Sequence, residues 1–136
     1  MGGADGNDYG YDIAVSGDRV FVGGYFVGPA DFGSTSLSSG YGYVTALNAD
    51  GDFLWAKSFG NYVFNVATDS AGNAVATGRF IGSTVFDHGD ATTERTAAGY
   101  SDAFVVKLAA DGVFQWVRVA GSSVDTSGNF DTSYNV

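Results

Sequence analysis

Short runs of residues whose side chains would alternate between two faces of a strand follow one another along the chain, and turn-forming residues separate these runs. Phe53, Trp55 and Lys57 share one face of one such run. Leu54 and Ala56 share the opposite face, and because both faces are largely apolar, this pattern predicts a strand packed on both sides. The same reasoning predicts the following strands: Asp12–Ser16, Val20–Phe26, Tyr43–Leu47, Phe53–Phe59, Phe64–Thr68, Ala74–Phe80, Ala103–Leu108 and Phe114–Val119.

The sequence contains an internal repeat. Gly24–Gly28 returns as Gly78–Gly82 after fifty-four residues, and Ala46–Trp55 returns as Lys107–Trp116 after sixty-one. The second repeat is therefore longer by seven residues, and the additional residues fall in the polar stretch Asp87–Arg95. Matched spacing of aromatic and turn residues over such a length indicates duplication of one structural unit.

Tandem units of four short antiparallel strands are typical of β-propellers. The sequence thus predicts an all-β β-propeller fold with two four-stranded antiparallel blades per chain, at residues 11–61 and 62–121. Residues 1–10 overlap the repeat start, and residues 122–136 begin a third repeat. Trp55 and Trp116 are expected between blades, Ala14 and Ala67 in the crowded first strands, and long polar loops between the second and third strands of each unit.

Composition excludes several other classes. Leu, Glu and Gln are scarce, which argues against a helical bundle. The net charge of −9 argues against a nucleic-acid partner. The chain has no cysteine for a disulfide or a thiolate metal site. It has no apolar run long enough for membrane insertion, and its first residues do not resemble a signal peptide.

Candidate chemistry is concentrated in the longer second connection. His88, the only histidine, lies near Asp90, Glu94 and Arg95, which would suit a binding loop, a metal site or a general base. A solvated polar loop explains the same residues without a function. We therefore predict no catalytic residue, no metal site and no cofactor, and keep these four residues as candidate ligand contacts.

Exposed aromatic residues provide a second candidate surface. Tyr41 and Tyr100 flank the variable loops and are the preferred candidates for ligand binding. A wider set with neighbouring Asp and Asn residues would suit a glycan, although packing between blades explains aromatic residues equally well: Tyr9, Tyr11, Tyr25, Tyr41, Tyr43 and Tyr100. Asp125–Asp131 spaces oxygen side chains as Ca²⁺ loops do, but it lacks the required glycine and the final acid.

The repeat resembles the bacterial β-propeller repeat called SBBP. The resemblance rests on Gly72-Asn73, Thr77–Phe80, Asp102–Leu108 and Asp111-Gly112 in the second repeat, and the first repeat departs from it around Tyr41–Ala46. Such repeats occur in secreted and surface-attached bacterial proteins and define no activity. The resemblance implies a scaffold for binding or surface adhesion, located extracellularly or at the cell surface.

Two blades leave apolar faces open, so closure needs further copies. We expect a non-enzymatic module that self-assembles into a homo-oligomer, a trimer or tetramer with about six or eight blades, with a possible glycan or protein ligand. The alternative is a glycan- or calcium-binding lectin-like propeller. A third hypothesis is a hydrolase or lyase with a site at the centre of the ring.

Overall fold

The computed structural model describes residues 2–3, 6–38 and 41–121. Within these ranges the chain forms strands and turns and contains no helix, which confirms the predicted all-β class. The predicted third repeat at residues 122–136 lies outside the described residues. The strands are β1 (Gly2–Gly3), β2 (Tyr9–Ser16), β3 (Arg19–Tyr25), β4 (Ala30–Phe32), β5 (Thr35–Leu37), β6 (Gly42–Asn48), β7 (Phe53–Ser58), β8 (Tyr62–Thr68), β9 (Ala74–Phe80), β10 (Ser83–Asp87), β11 (Asp90–Thr96), β12 (Asp102–Leu108) and β13 (Phe114–Ala120).

Two four-stranded antiparallel sheets make up most of the molecule. The first sheet has the order β2-β3-β6-β7, and the second has the order β8-β9-β12-β13. All eight predicted strands are present, but β2 and β8 begin earlier than predicted. A bulge lies between Gly10 and Asp12 and another between Val63 and Asn65. Because a bulge interrupts the alternation of faces, the residues before it do not follow the pattern of the strand.

The two sheets have the same register, residue by residue. Ala14 pairs with Phe21 in the first sheet, and Ala67 pairs with Val75 in the second. Because Phe21 and Val75 are separated by the repeat offset, Ala14 and Ala67 occupy equivalent positions. The bulges also match, so Tyr9 of β2 is equivalent to Tyr62 of β8.

The connections predicted as long polar loops each contain a β-hairpin instead. In the first sheet's connection β4 pairs with β5, and in the second β10 pairs with β11. Each hairpin contributes an aromatic side chain to the core, Phe32 from the first and Phe86 from the second. The additional residues of the second repeat therefore lengthen an existing hairpin and do not create a separate loop. The sequence pattern did not predict these two hairpins because polar residues on their outer faces made both connections resemble loops.

The first sheet packs against the second through one face. A row of side chains crosses its four strands on this face, namely Ala14, Phe21, Ala46 and Trp55. The facing row of the second sheet is Val66, Ala76, Val106 and Val117. Phe21, Ala46 and the whole facing row belong to one buried cluster, against which Ala14 and Trp55 pack. The opposite face of the first sheet packs partly on the hairpin of β4 and β5, through Phe26, Ala30, Phe32, Tyr43 and Ala56.

Close approach of the two sheets requires glycine at position 23. A Cβ atom there would lie 2.5 Å from Cγ2 of Val66 and 2.7 Å from Cγ1 of Val63. Both distances are too short for real carbon contacts, so a side chain at this position would force the sheets apart.

We expect Gly23→Ala to lower the free energy of unfolding by about 1–3 kcal/mol because the added methyl group overpacks the interface. Urea denaturation measures the loss, and combination with Val66→Ala should recover part of it. Gly10→Ala is the control, since a Cβ atom at that position would lie 3.6 Å from its nearest neighbour, Cγ1 of Val22. Additive losses in the double variant would contradict the steric explanation.

Candidate functional site

Four of the candidate residues lie on one hairpin but do not form one site. His88 lies in the turn between β10 and β11, and Asp90 begins β11. Glu94 is exposed and pairs with Val85, while Arg95 is the next residue along the strand. Since neighbouring residues of a strand point to opposite faces, Glu94 and Arg95 cannot converge on a common ligand from this strand.

His88, Asp90 and Arg95 each have a local partner in the hairpin or beside it. His88 Nε2 lies 2.9 Å from the carbonyl oxygen of Ser58, which joins the hairpin to the first sheet. The Arg95 guanidinium donates to the carbonyl oxygens of Thr92, at 3.1 Å, and Glu94, at 2.8 Å. Hydrogen bonds from the side chain and backbone N–H of Thr92 lower the pKa of Asp90. These contacts shape the hairpin and its turn.

A cleft of about 270 Å³ lies beside His88. Its walls are Ser83–Val85 of the second hairpin and Ser58–Gly60 after β7. Among the described residues no three carboxylate, imidazole or thiol side chains come together as a metal site would need. The cleft can accept a small polar molecule, and His88 is the titratable side chain on its wall.

Tyr41 and Tyr100 lie at the surface, where a residue must lie if it is to contact a ligand. Each is 50% exposed, Tyr41 just before β6 and Tyr100 just before β12. The carbonyl oxygen of Tyr41 accepts a hydrogen bond from the N–H of Phe26 at 2.8 Å, so its backbone is anchored while its ring is exposed.

A group of aromatic side chains other than Tyr41 and Tyr100 converges at the surface, and three of its five members belong to the wider glycan set. We define the tyrosine cluster as the five neighbouring rings of Tyr9, Tyr11, Tyr25, Tyr62 and Phe64. Ring centroids of Tyr25 and Tyr62 lie 4.8 Å apart, and those of Tyr11 and Phe64 lie 5.9 Å apart. These two contacts join the first sheet to the second.

Sequence reasoning selected only the members from the first repeat. Tyr62 and Phe64 were missed because the bulges displaced the start of each first strand from its predicted position. The Arg79 guanidinium, which lies 4.7 Å from the ring centroid of Tyr62, was missed as well. The available signal was the repeat itself, because Tyr62 is the equivalent of Tyr9 and Arg79 the equivalent of Tyr25.

Tyr43, considered above as part of a glycan surface, is a core residue. Its side chain is fully buried against Phe26 and Phe32. Burial, with a smaller contribution from the Asp8 carboxylate, raises the pKa of Tyr43 to about 12. Because the side chain is fully buried, Tyr43 cannot contact a ligand at the surface, and its hydroxyl has no hydrogen-bond partner within the described part of the chain.

Comparison with known protein families and with curated proteins finds no match for this chain. The resemblance to the SBBP repeat therefore stays a prediction. The described residues also include no helix with the length and apolar character needed to cross a membrane.

We expect Tyr43→Phe to keep or raise stability at pH 7, by up to about 1 kcal/mol, because it removes a buried hydroxyl without a partner. A raised folded-state pKa gives stability that is present below pH 10 and lost as pH rises towards about 12. The variant should therefore lose less stability than the native chain over this range in urea titrations. Tyr41→Phe, at an exposed ring, is the control; a marked loss at pH 7 for Tyr43→Phe would contradict the burial argument.

Proposed function

We propose that the chain is a non-enzymatic β-propeller repeat module of the SBBP type, in which each four-stranded sheet is one blade. Copies of the chain associate blade to blade into a closed ring that serves as a scaffold for binding or surface adhesion outside the cell. One observation carries the proposal. On the face of the sheet that carries Val66 in the second repeat and Ile13 in the first, equivalent side chains are buried in the second sheet and exposed to solvent in the first.

Ile13 and Val66 show this difference most clearly. They are equivalent residues of β2 and β8, yet Val66 is 5% exposed and Ile13 is 61% exposed. Val15, on the same face as Ile13, is 63% exposed. Exposed β-branched side chains on a strand of this kind indicate a surface that associates with another apolar surface.

The chain also carries the surface that would cover this face. In the first sheet the covering residues are Ala14, Phe21 and Trp55, which pack on the second sheet. Their equivalents Ala67, Val75 and Trp116 lie on the outward face of the second sheet. One end of the chain therefore presents the covering face of the repeat, and the other end presents the covered face.

The contact between the two sheets of one chain and the proposed contact between two chains carry large and small residues on opposite sides. Within the chain, Gly23 of the first sheet meets Val63 of the second. Between chains, the equivalent positions hold Thr77 and Gly10, so the larger residue changes sides. The total volume is maintained, as packing at interior density requires.

A second set of equivalent positions shows the same reversal of large and small residues. Phe21 shares its buried cluster with Ala74 and Ala76 of the facing sheet. The equivalent of Phe21 is the smaller Val75, and the equivalents of the two alanines are the larger Val20 and Val22. A second copy of the chain therefore fits the open face better than an unrelated apolar surface would.

The tryptophans provide a polar contact at the outer side of this interface. Trp55 Nε1 donates to the carbonyl oxygen of Ala110 at 3.0 Å, and Arg19 donates to the same oxygen. A Cβ atom on Gly112, in the same turn, would lie 2.8 Å from Cδ2 of Trp55. At the equivalent Gly51, no atom of the described residues other than its chain neighbours lies within 4 Å of such an atom, so this position of the first sheet has room for Trp116 of another copy.

Charge does not prevent this association. Lys107 occupies the outward face at the position equivalent to Ala46, but its Nζ lies 2.6 Å from Asp69 Oδ2. Hydrogen bonds from the Lys107 ammonium and from Asn73 lower the pKa of Asp69. The net charge of −9 per chain opposes assembly, so association should strengthen as salt screens it.

Association of two different faces is heterologous and must close into a ring or continue as a fibre. β2 and β8 run close together, whereas near the outer strands Trp55 of β7 reaches the turn before β13, and this difference supports blades that fan out from an axis. Propellers hold roughly four to eight blades, so two, three or four copies of this chain would close a ring, and we favour a trimer or a tetramer.

The proposal predicts different effects for equivalent substitutions. Trp116→Ala and Ile13→Lys should each reduce the mass in sedimentation experiments to that of one chain, with little change in the urea midpoint of that chain. Trp55→Ala should instead lower the stability of the single chain, by about 3 kcal/mol. Leu54→Lys is the control for surface charge, because the equivalent position in the second sheet is the exposed Gln115.

Mixing the two association variants tests the direction of assembly. Each retains one intact face, so an equimolar mixture of Trp116→Ala and Ile13→Lys should form a complex of two chains that grows no further. If the native chain remains a single chain at all salt concentrations, or if the mixture forms no such complex, the proposal is overturned.

A further inference from the structure

We infer that the tyrosine cluster, together with Arg79 and Asp8, is a binding platform for a neutral carbohydrate. The inference goes beyond the proposed scaffold, and it does not depend on assembly because every member belongs to one chain. The platform lies where the first strands of both sheets begin, at the end of the sheets that also carries Tyr41.

The rings form a closed circuit. Tyr9 and Tyr11 are parallel within 3°, with centroids 6.0 Å apart, and Tyr62 and Phe64 are parallel within 4°, with centroids 5.7 Å apart. Tyr25 lies between the two pairs, 6.0 Å from Tyr9 and 4.8 Å from Tyr62. Each sheet thus supplies one parallel pair at equivalent positions.

Two of the five rings are more exposed than packing alone would require, while Tyr25, Tyr62 and Phe64 are half-buried. Tyr9 is 45% exposed and Tyr11 is 46% exposed, although aromatic side chains of this size gain most from complete burial. By contrast, the aromatic residues near the hairpins, such as Phe32, Phe80 and Phe104, are fully or almost fully buried. The cluster therefore leaves a substantial aromatic surface at the solvent boundary.

The charges around the rings favour an uncharged ligand. The Arg79 guanidinium lies 4.7 Å from the centroid of Tyr62, where it would repel a cationic ligand and already occupies the ring. Asp8 directly precedes Tyr9 in the chain, and its carboxylate would repel an anion at the rings. Burial, then the neighbouring phenols and last the Asp8 carboxylate raise the pKa of Tyr25, which agrees with this placement. Asp8 Oδ1 is buried and has no hydrogen-bond partner within the described residues.

Phenol hydroxyl groups surround the same surface. Burial, and then the proximity of neighbouring phenols, raises the pKa of Tyr11, so its hydroxyl group remains a neutral donor and acceptor at physiological pH. A sugar ring combines an apolar face of C–H groups with a rim of hydroxyl groups. Flat aromatic rings beside a carboxylate, a guanidinium and several phenols complement both parts.

The experiment titrates the native chain with cellohexaose, maltohexaose and hexa-N-acetylchitohexaose, all of which are uncharged, while aromatic and backbone NMR shifts are recorded. We expect saturable shifts at Tyr9, Tyr11 and Tyr25 with at least one of them. Tyr11→Ala should weaken that binding by about tenfold, while Tyr9→Phe, which keeps the ring and loses one hydroxyl, should weaken it less. Leu54→Ala, at a similarly exposed apolar residue in another region, should bind as the native chain does.

Unfolding of each variant in urea separates loss of the platform from loss of the fold. Absence of saturable shifts in the native chain at about 10 mM sugar would overturn the inference, as would equal binding by folded Tyr11→Ala. Saturable binding of a decaproline peptide without binding of any of the sugars would also overturn it, since the rings would then recognise a peptide.

Discussion

Packing of the first sheet on the second is the interaction on which the rest of the structure depends. A four-stranded sheet with two apolar faces cannot bury either face alone, so each sheet must lie between neighbours. Gly23 permits this by leaving room for Val63 and Val66. The same requirement leaves Ile13 on the far face exposed, and the proposed association of copies rests on that exposure.

The hairpins provide a second means of covering apolar surface. Each one folds back over its own sheet and places a phenylalanine, Phe32 or Phe86, against an aromatic side chain of the third strand, Tyr43 of β6 or Phe104 of β12. This cover is partial, because it reaches the β6 side of the first sheet and leaves β2 open. The rest of each sheet face therefore still needs a neighbouring sheet.

The repeated and the unrepeated residues have different roles in this arrangement. Residues that recur in both repeats line the sheet faces: Trp55 packs on the second sheet, and its equivalent Trp116 lies on the outward face of that sheet. Residues that occur once, such as His88, lie on the second hairpin, where changes in length and polarity do not disturb the core. The tyrosine cluster combines both features, because its ring positions recur whereas Arg79 replaces Tyr25 in the second repeat.

The sequence by itself determined the all-β class, the duplication and all eight strands of the sheets, because alternation, repeat offset and turn residues are local signals. It also placed Ala14 and Ala67 in the first strand of each repeat, and the strand pairing then showed that the two positions are equivalent. Only the tertiary structure decided that Tyr43 is buried and that Tyr25 meets Tyr62. Those outcomes depend on the bulges, the hairpins and the contact between sheets, which join residues far apart in the chain and leave no periodic pattern in it.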